Sequence, residues 1–339
     1  MLIWARKLPR LLKKKMNNFE EIFDEIKKYD SFYLSGHKNP DGDSIGSCKC
    51  IQLALESLGS EVVMGSGVPV PGILNKVPAS GTPDPMSTSD PKVFIQLDVQ
   101  ADYRIPDEAL VAKQKAKVKI CFDHHQPNEA NCDLVYVDPS AAANALIIWD
   151  FVKFMNVKIT KEIATAAYFG LCSDTNSFMN SNSDQRAFEA ATEMISYGVD
   201  ASKVAQELFQ SRTLQSFNLE KVALDHMFVD EDKHFAFTFL TAEDYAKYNA
   251  TKADSDAIID LLRKLECVEV ACMIRQEEPG QKVRGSLRSK GNIDVSKLAR
   301  QHTGGGHKAA SGFTMDETDI TRACETVKLQ LLDLMNGKF

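Results

Sequence analysis

Nowhere in the 339 residues do two cysteines stand as C-x-x-C, and the eight that occur are scattered. That spacing argues against a zinc site or a disulfide framework and for reduced thiols. The closest two, Cys48 and Cys50, fall in a stretch that reads as a helix. Long apolar runs are missing as well. None approaches the roughly 20 residues of a membrane-spanning helix, and no leader joins an apolar stretch to a small-residue cleavage site. A soluble, cytoplasmic protein with no stable membrane association is therefore expected. An excess of basic charge is also absent: the net charge of −7 argues against a protein that coats nucleic acid by bulk electrostatics, although local patches still matter. There is no internal repeat and no low-complexity tract.

What remains is ordinary globular material, 44% hydrophobic and 26% charged, long enough for two domains of roughly 100–200 residues each. Two local basic stretches stand out against the acidic total. Residues 1–15 hold six Lys/Arg and no acid, ahead of Met16 and the helix-like MNNFEEIFDEIKKY. This extension is given no catalytic role and is expected to fall outside the fold. Residues 282–308 carry seven Lys/Arg against the single acid Asp294.

In the first half, short apolar runs alternate with amphipathic segments. Strands are expected at 32–36, 61–65, 92–98, 117–123 and 133–138, and helices around 18–29, 44–58, 140–155, 160–172 and 184–197. Such alternation implies a mainly parallel sheet with right-handed crossovers, an α/β domain with its site at the carboxyl ends of the strands. Residues 200–226 read as a helical linker. From about 227 to 339 the texture changes to two apparent antiparallel hairpins, MFVDEDKHFAFTFL and VEVACMIRQEEPGQKVRGSLRSK, and helices near 254–265, 294–301 and 317–335. A smaller α+β domain is expected there.

The residues with chemistry sit where the first-half strands end. His37, Asn39, Asp41 and Asp43 follow the first strand, Asp98 the third, Asp123-His124-His125 the fourth, and Asp174-Thr175 closes a helical run. Alone, Asn-Pro-Asp-Gly is a turn and a strand-end Asp is a helix cap. Together, five aspartates and three histidines converging on one sheet edge repel one another and persist only with cations among them. The mixture of imidazole and carboxylate suits Mn²⁺, or Mg²⁺, and that many carboxylates need two ions.

HKNPDGDSIGS, the isolated Asp98, DHH and GLCSDT together resemble the four ordered motifs of the DHH phosphoesterases, and GGGHKAASGF resembles the glycine-rich motif of the DHH-associated C-terminal domain. The resemblance spans residues 17–339 and implies a DHH catalytic domain over 17–199, a helical linker over 200–226 and a substrate-binding domain over 227–339, with the active site in the cleft. It implies that His37, Asp41 and Asp98 hold one ion and that Asp43, Asp98, His124 and Asp174 hold the other, Asp98 bridging. Such a pair of ions activates water and steadies the attacking and leaving oxygens. His125 then faces the phosphate, Asp123 orients a histidine and Asn39 helps position the phosphate or water. In the second domain Arg284, Ser286 and Arg288 on a strand, and Gly304, Gly305, Gly306 and His307 in a loop, are the implied substrate-binding groups.

The fourth motif departs from the pattern, with Asn176 where the family carries glycine. Metal binding is not touched by this, but the pocket rim is. The implied substrates are short RNA or DNA oligonucleotides, linear or cyclic dinucleotides, or 3′-phosphoadenosine 5′-phosphate, handled by a monomer or homodimer. A pyrophosphatase or polyphosphatase of related chemistry, or a catalytically silent nucleotide sensor, is the alternative.

Overall fold

The apolar runs of the first half form five parallel strands: β1 (Ser31–Ser35), β2 (Glu61–Met64), β3 (Val93–Leu97), β4 (Val118–Asp123) and β5 (Leu134–Val137). They lie in the order β2-β1-β3-β4-β5. This computed structural model describes residues 17–65, 72–75 and 91–339, the side chains of Asn75 and His307 excepted. The basic extension, residues 1–15, lies outside them.

β3 shows why the sheet is buried on both faces. All five of its residues are buried, yet they divide by parity. Val93, Ile95 and Leu97 join Phe32 and Leu34 of β1 in a core with the helices Gly42–Ser57, Asn144–Phe154 and Lys161–Asp174. Phe94 faces the other way, with Tyr33, Val63 and Ala109 of the helix Asp107–Lys115, a helix not foreseen from the periodicity. Helix starts follow capping chemistry: Asn18 and Glu21 form a capping box, and Thr160 and Asp184 cap the helices that follow them.

The chain divides into a first unit ending at Ser211 and a second covering Arg212–Phe339. The expected linker is therefore shared between them. Val204 of the helix Ala201–Phe209 enters the first core, whereas Leu219 and Ala223 of the helix Leu214–Asp225 enter the second.

The second unit is a six-stranded sheet of β6 (Phe228–Asp230), β7 (Phe235–Leu240), β8 (Val270–Arg275), β9 (Arg284–Ser289), β10 (Thr303–His307) and β11 (Ala310–Thr314), in the order β10-β11-β9-β8-β7-β6. Both hairpins are antiparallel, but β7 and β8 run parallel, so the sheet is mixed. β8 does not alternate: all six residues are buried, because helices cover both of its faces. The helix expected at 254–265 is broken into Lys252–Ser255 and Ile258–Arg263, and Ala242–Tyr248 is an additional helix.

The expected glycine loop is a strand, and this corrects the sequence reading. Residues Gly304 and Gly306 lie against β11, where a β carbon would meet the Gly312 carbonyl at 2.4 Å and the Ala310 carbonyl at 2.6 Å. These glycines are required by close strand packing rather than by a turn. No helix among the described residues is long and apolar enough to cross a membrane.

Candidate metal centre

In the strand order of the first sheet, direction reverses between β1 and β3, and the site lies at the carboxyl ends of β1, β3 and β4, where open α/β sheets form their crevice. His37 leaves β1 and points Nε2 at Asp41 Oδ2, 3.7 Å away, and at Asp98 Oδ2, 3.5 Å away. Asp41 is both of the things its motif allows. Its Oδ1 caps the helix Gly42–Ser57 through the amides of Asp43 and Ser44, at 3.1 and 3.0 Å, and its Oδ2 faces His37.

Asp43 is fully buried on the first turn of that helix. The amides of Asn144 and Ala145, at the start of another helix, hold its two oxygens at 2.6 and 2.8 Å. Two backbone donors at a helix N-terminus are a natural partner for an anion. Asp98, just past β3, has a left-handed backbone with φ 59° and lies between the two sets. Its Oδ2 faces His37, while its Oδ1 is 3.6 Å from His124 Nε2. Asp174 ends its helix with Oδ2 3.5 Å from the same nitrogen.

His124 Nδ1 stands 3.2 Å from the Ala141 carbonyl. A carbonyl only accepts, so Nδ1 carries the hydrogen and Nε2 is turned to Asp43, Asp98 and Asp174. Asp123 is not turned inward. Its Oδ1 accepts from the His125 ring at 2.7 Å and from the His124 amide at 2.8 Å, and its Oδ2 accepts from Gln100 at 2.7 Å. Burial raises the Asp123 pKa, but the His125 hydrogen bond and charge outweigh it and leave it below the ordinary value. Asn39 lies exposed in the turn between His37 and Asp41.

Without cations the cluster is electrostatically frustrated. Burial, then the nearby Asp174 carboxylate, pushes Asp43 up to about 8. Burial with Asp43 and Asp41 drives Asp98 well above its usual range, and burial with Asp41 raises Asp174 to about 6 against the pull of His124. Burial opposes protonation of His124, yet Asp43, Asp98 and Asp174 outweigh it and raise the imidazole to about 9. Protons are taken up where positive charge is needed. Asp98 Oδ1 is buried and has no hydrogen-bond partner among the described residues. The sets His37, Asp41, Asp98 and Asp43, His124, Asp174 each converge within 4.8 Å. Oxygen and imidazole donors with an orphaned carboxylate oxygen between them fit divalent cations.

Several residues of the site escaped sequence reading: Gln96, Gln100, the amides of Asn144 and Ala145, and Asn182, which donates to the Ala142 and Asp174 carbonyls at 2.8 and 3.3 Å. Two glutamines flanking Asp98 in the otherwise apolar VFIQLDVQ were the available signal. Asn176 has φ 48°, followed by Ser177 and Phe178 at 55° and 63°. Asparagine is the side chain that best tolerates this region after glycine, so the departure in the fourth motif leaves Asp174 in reach of His124.

On the second unit, Arg284, Ser286 and Arg288 alternate with the buried residues of β9 and share one face. In register, Arg288 pairs with Ala310 and Ala310 with His307, and Ser286 pairs with Gly312 and Gly312 with Gly305. Small residues thus lie beside the arginine. Among the described residues nothing approaches a β carbon at Gly305 within 4 Å. Arg288 is held by the Leu287 carbonyl at 3.1 Å, with Asp260 3.8 Å away. Most other cations of the basic stretch are engaged elsewhere: Lys282 with Asp316, Lys290 with the Leu265 carbonyl, Lys297 with that of Phe339.

Residues 31–171 match the DHH family, N-terminal domain, and residues 232–332 match the DHHA1 domain. The chain is 31% identical over 300 residues to the bifunctional oligoribonuclease and PAP phosphatase NrnA of Thermus thermophilus, covering 87% of each chain. It is 26% identical over 310 residues to the protein of that name from Bacillus subtilis, covering 88% of this chain and 95% of the relative. In fold it is similar to an exopolyphosphatase-related protein from Bacteroides fragilis, with TM-score 0.84, 24% identity, and coverage of 94% of this chain and 96% of the other. It is also similar to exonuclease RecJ bound to manganese, with TM-score 0.54, 14% identity and coverage of 95% of each.

Proposed function

The chain belongs to the DHH family of phosphoester hydrolases, and from that premise we propose that it cleaves short substrates with two divalent ions, Mn²⁺ or Mg²⁺, on its first unit. The substrates are oligonucleotides of a few residues, linear or cyclic dinucleotides, and 3′-phosphoadenosine 5′-phosphate. The names of the Thermus and Bacillus relatives support this substrate class. One observation carries the two-ion reading: the two oxygens of the single Asp98 carboxylate face different sets, Oδ2 toward His37 and Oδ1 toward His124.

His37, Asp41 and Asp98 would hold one ion, and Asp43, Asp98, His124 and Asp174 the other. The pair supplies an activated water and positive charge beside the attacking and leaving oxygens. The protein's own groups do the rest. Asp43 keeps its donor oxygens because helix amides aim them, and the Ala141 carbonyl keeps His124 Nε2 turned inward. Asp123 engages His125 through Nδ1 and fixes the ring, so that with both ring nitrogens protonated His125 would give the Nε2 proton to the leaving oxygen as the P–O bond breaks, Asp123 steadying the positive ring beforehand. Arg288, Arg284, Ser286, the glycine strand and His307 offer charge and backbone to nucleotide groups away from the scissile phosphate.

The test is a substrate panel of di- to pentanucleotides, cyclic dinucleotides, 3′-phosphoadenosine 5′-phosphate, long single strands and pyrophosphate, each with Mn²⁺ and with excess chelator. Turnover of the short nucleotides that chelator abolishes and Asp98→Ala removes is the expected result. Activity undiminished in chelator, or pyrophosphate as the sole good substrate, would overturn the proposal.

A further inference from the structure

We infer that Gln96 and Lys113 are positioning residues for Asp98, holding the turn that aims its carboxylate at both halves of the metal set; the inference rests on the two-ion reading above. Asp98 is an L residue at φ 59°, a backbone state that rarely persists unless its surroundings enforce it. The enforcement comes from the residue two places before it. Gln96 Nε2 donates to the carbonyls of Val99 and Gln100, both at 2.7 Å, closing the chain around Asp98 like a clasp. On the other side the Asp98 amide donates to the Phe122 carbonyl of β4 at 3.0 Å.

The amide of Gln96 can make those two bonds only if its oxygen points away from the turn. Lys113 sees to this. Its ammonium, from the helix Asp107–Lys115, lies 2.7 Å from Gln96 Oε1 and 2.5 Å from Asp102 Oδ1. A lysine only donates, so it selects the one orientation of the carboxamide that leaves both hydrogens for the turn. Gln96 is fully buried and Lys113 only 2% exposed. A buried ammonium is retained only with partners, and the partners here are the clasp and an aspartate of the same loop. The turn also reaches the second histidine, because Gln100 donates to Asp123 Oδ2 at 2.7 Å and Asp123 holds His125.

A network that merely stabilised the sheet would leave the ions indifferent to its chemistry. The discriminating substitution is Gln96→Glu, which keeps the size and the contact to Lys113 but sets an acceptor oxygen against the carbonyls of Val99 and Gln100. Its added negative charge would, by Coulomb attraction alone, tighten cation binding. Weakened binding therefore reports geometry. Lys113→Met is the second variant.

The experiment is calorimetric titration of the chelator-stripped full-length chain with Mn²⁺, alongside steady-state kinetics on a dinucleotide and thermal unfolding. In both variants the Mn²⁺ Kd is expected to rise about tenfold or more and kcat to fall by a similar factor, with KM within about twofold of wild type and cooperative unfolding retained. Wild-type Kd and kcat in both variants would overturn the inference. So would failure of both to fold, which would assign the network to the stability of the sheet. Wild-type protein that takes up no Mn²⁺ would instead bring down the two-ion reading itself, and this inference with it.

Discussion

A β carbon on Gly170 would stand 3.0 Å from Oδ1 of Asp43, and 2.5 Å from the β carbon of Ala145. At Gly46, one turn along the facing helix, an added β carbon would meet the Ala166 carbonyl at 2.6 Å. The helices Gly42–Ser57 and Lys161–Asp174 thus cross on bare backbone, and the closeness of that crossing lets Asp43 and Asp174 share His124.

Gly170→Ala should act on stability and on metal together. The added methyl has to displace the Asn144–Phe154 helix or the Asp43 carboxylate, a kind of overpacking that costs about 1–3 kcal/mol. A lowered Tm with weaker Mn²⁺ binding is expected from thermal unfolding and titration. Native values for both would show that the crossing has slack.

Metal-free protein should lose stability as the pH rises. Asp43 has its folded-state pKa raised to about 8 and His124 to about 9, from ordinary values of 3.8 and 6.5. Each therefore favours the folded state fully below its ordinary pKa and loses that contribution as pH climbs through the raised one. In chelator, Tm should fall between about pH 4 and pH 9, with Asp174, raised to about 6, adding to the fall at the acid end. Mn²⁺ should offset the fall by replacing the protons. A metal-free Tm that rises across this window would contradict the clustering of the carboxylates.

Asp123→Asn should separate catalysis from metal binding. The amide no longer accepts on both oxygens, so Gln100 or His125 loses its partner. A fall in kcat of about 10–100-fold is expected, with Mn²⁺ uptake and KM near wild type. An equal loss of Mn²⁺ would make Asp123 a ligand after all.

Arg288→Ala should weaken capture of nucleotides. A charge-assisted contact contributes roughly 1.5–3 kcal/mol, so kcat/KM on a dinucleotide should drop about tenfold or more, mainly through KM. Hydrolysis of a small generic phosphodiester should be spared. Equal losses on both would deny Arg288 a role in holding substrate.

Most of the first unit was legible because the information was local. β3 to β5 were bounded within a residue or two by apolar runs ending in aspartate or a turn, and the proposed donors His37, Asp41, Asp43, Asp98, His124 and Asp174 stand at element termini that periodicity marks. The second unit was read less well. Four of its helices have seven residues or fewer, β8 is covered on both faces and does not alternate, and three consecutive glycines signal a turn in sequence although here they serve an edge strand packed on β11.

By itself, then, the sequence determined which donors exist and that they gather at one sheet edge, since residue type and period are properties of the chain alone. It could not determine which oxygen faces which nitrogen. That was decided when elements distant in sequence met: the amides of Asn144 and Ala145 on Asp43, the Ala141 carbonyl on His124, and Lys113 on Gln96 behind the left-handed Asp98. Hydrogen-bond direction and backbone strain depend on atoms contributed by the whole fold, so they become visible only once the tertiary structure has placed those atoms side by side.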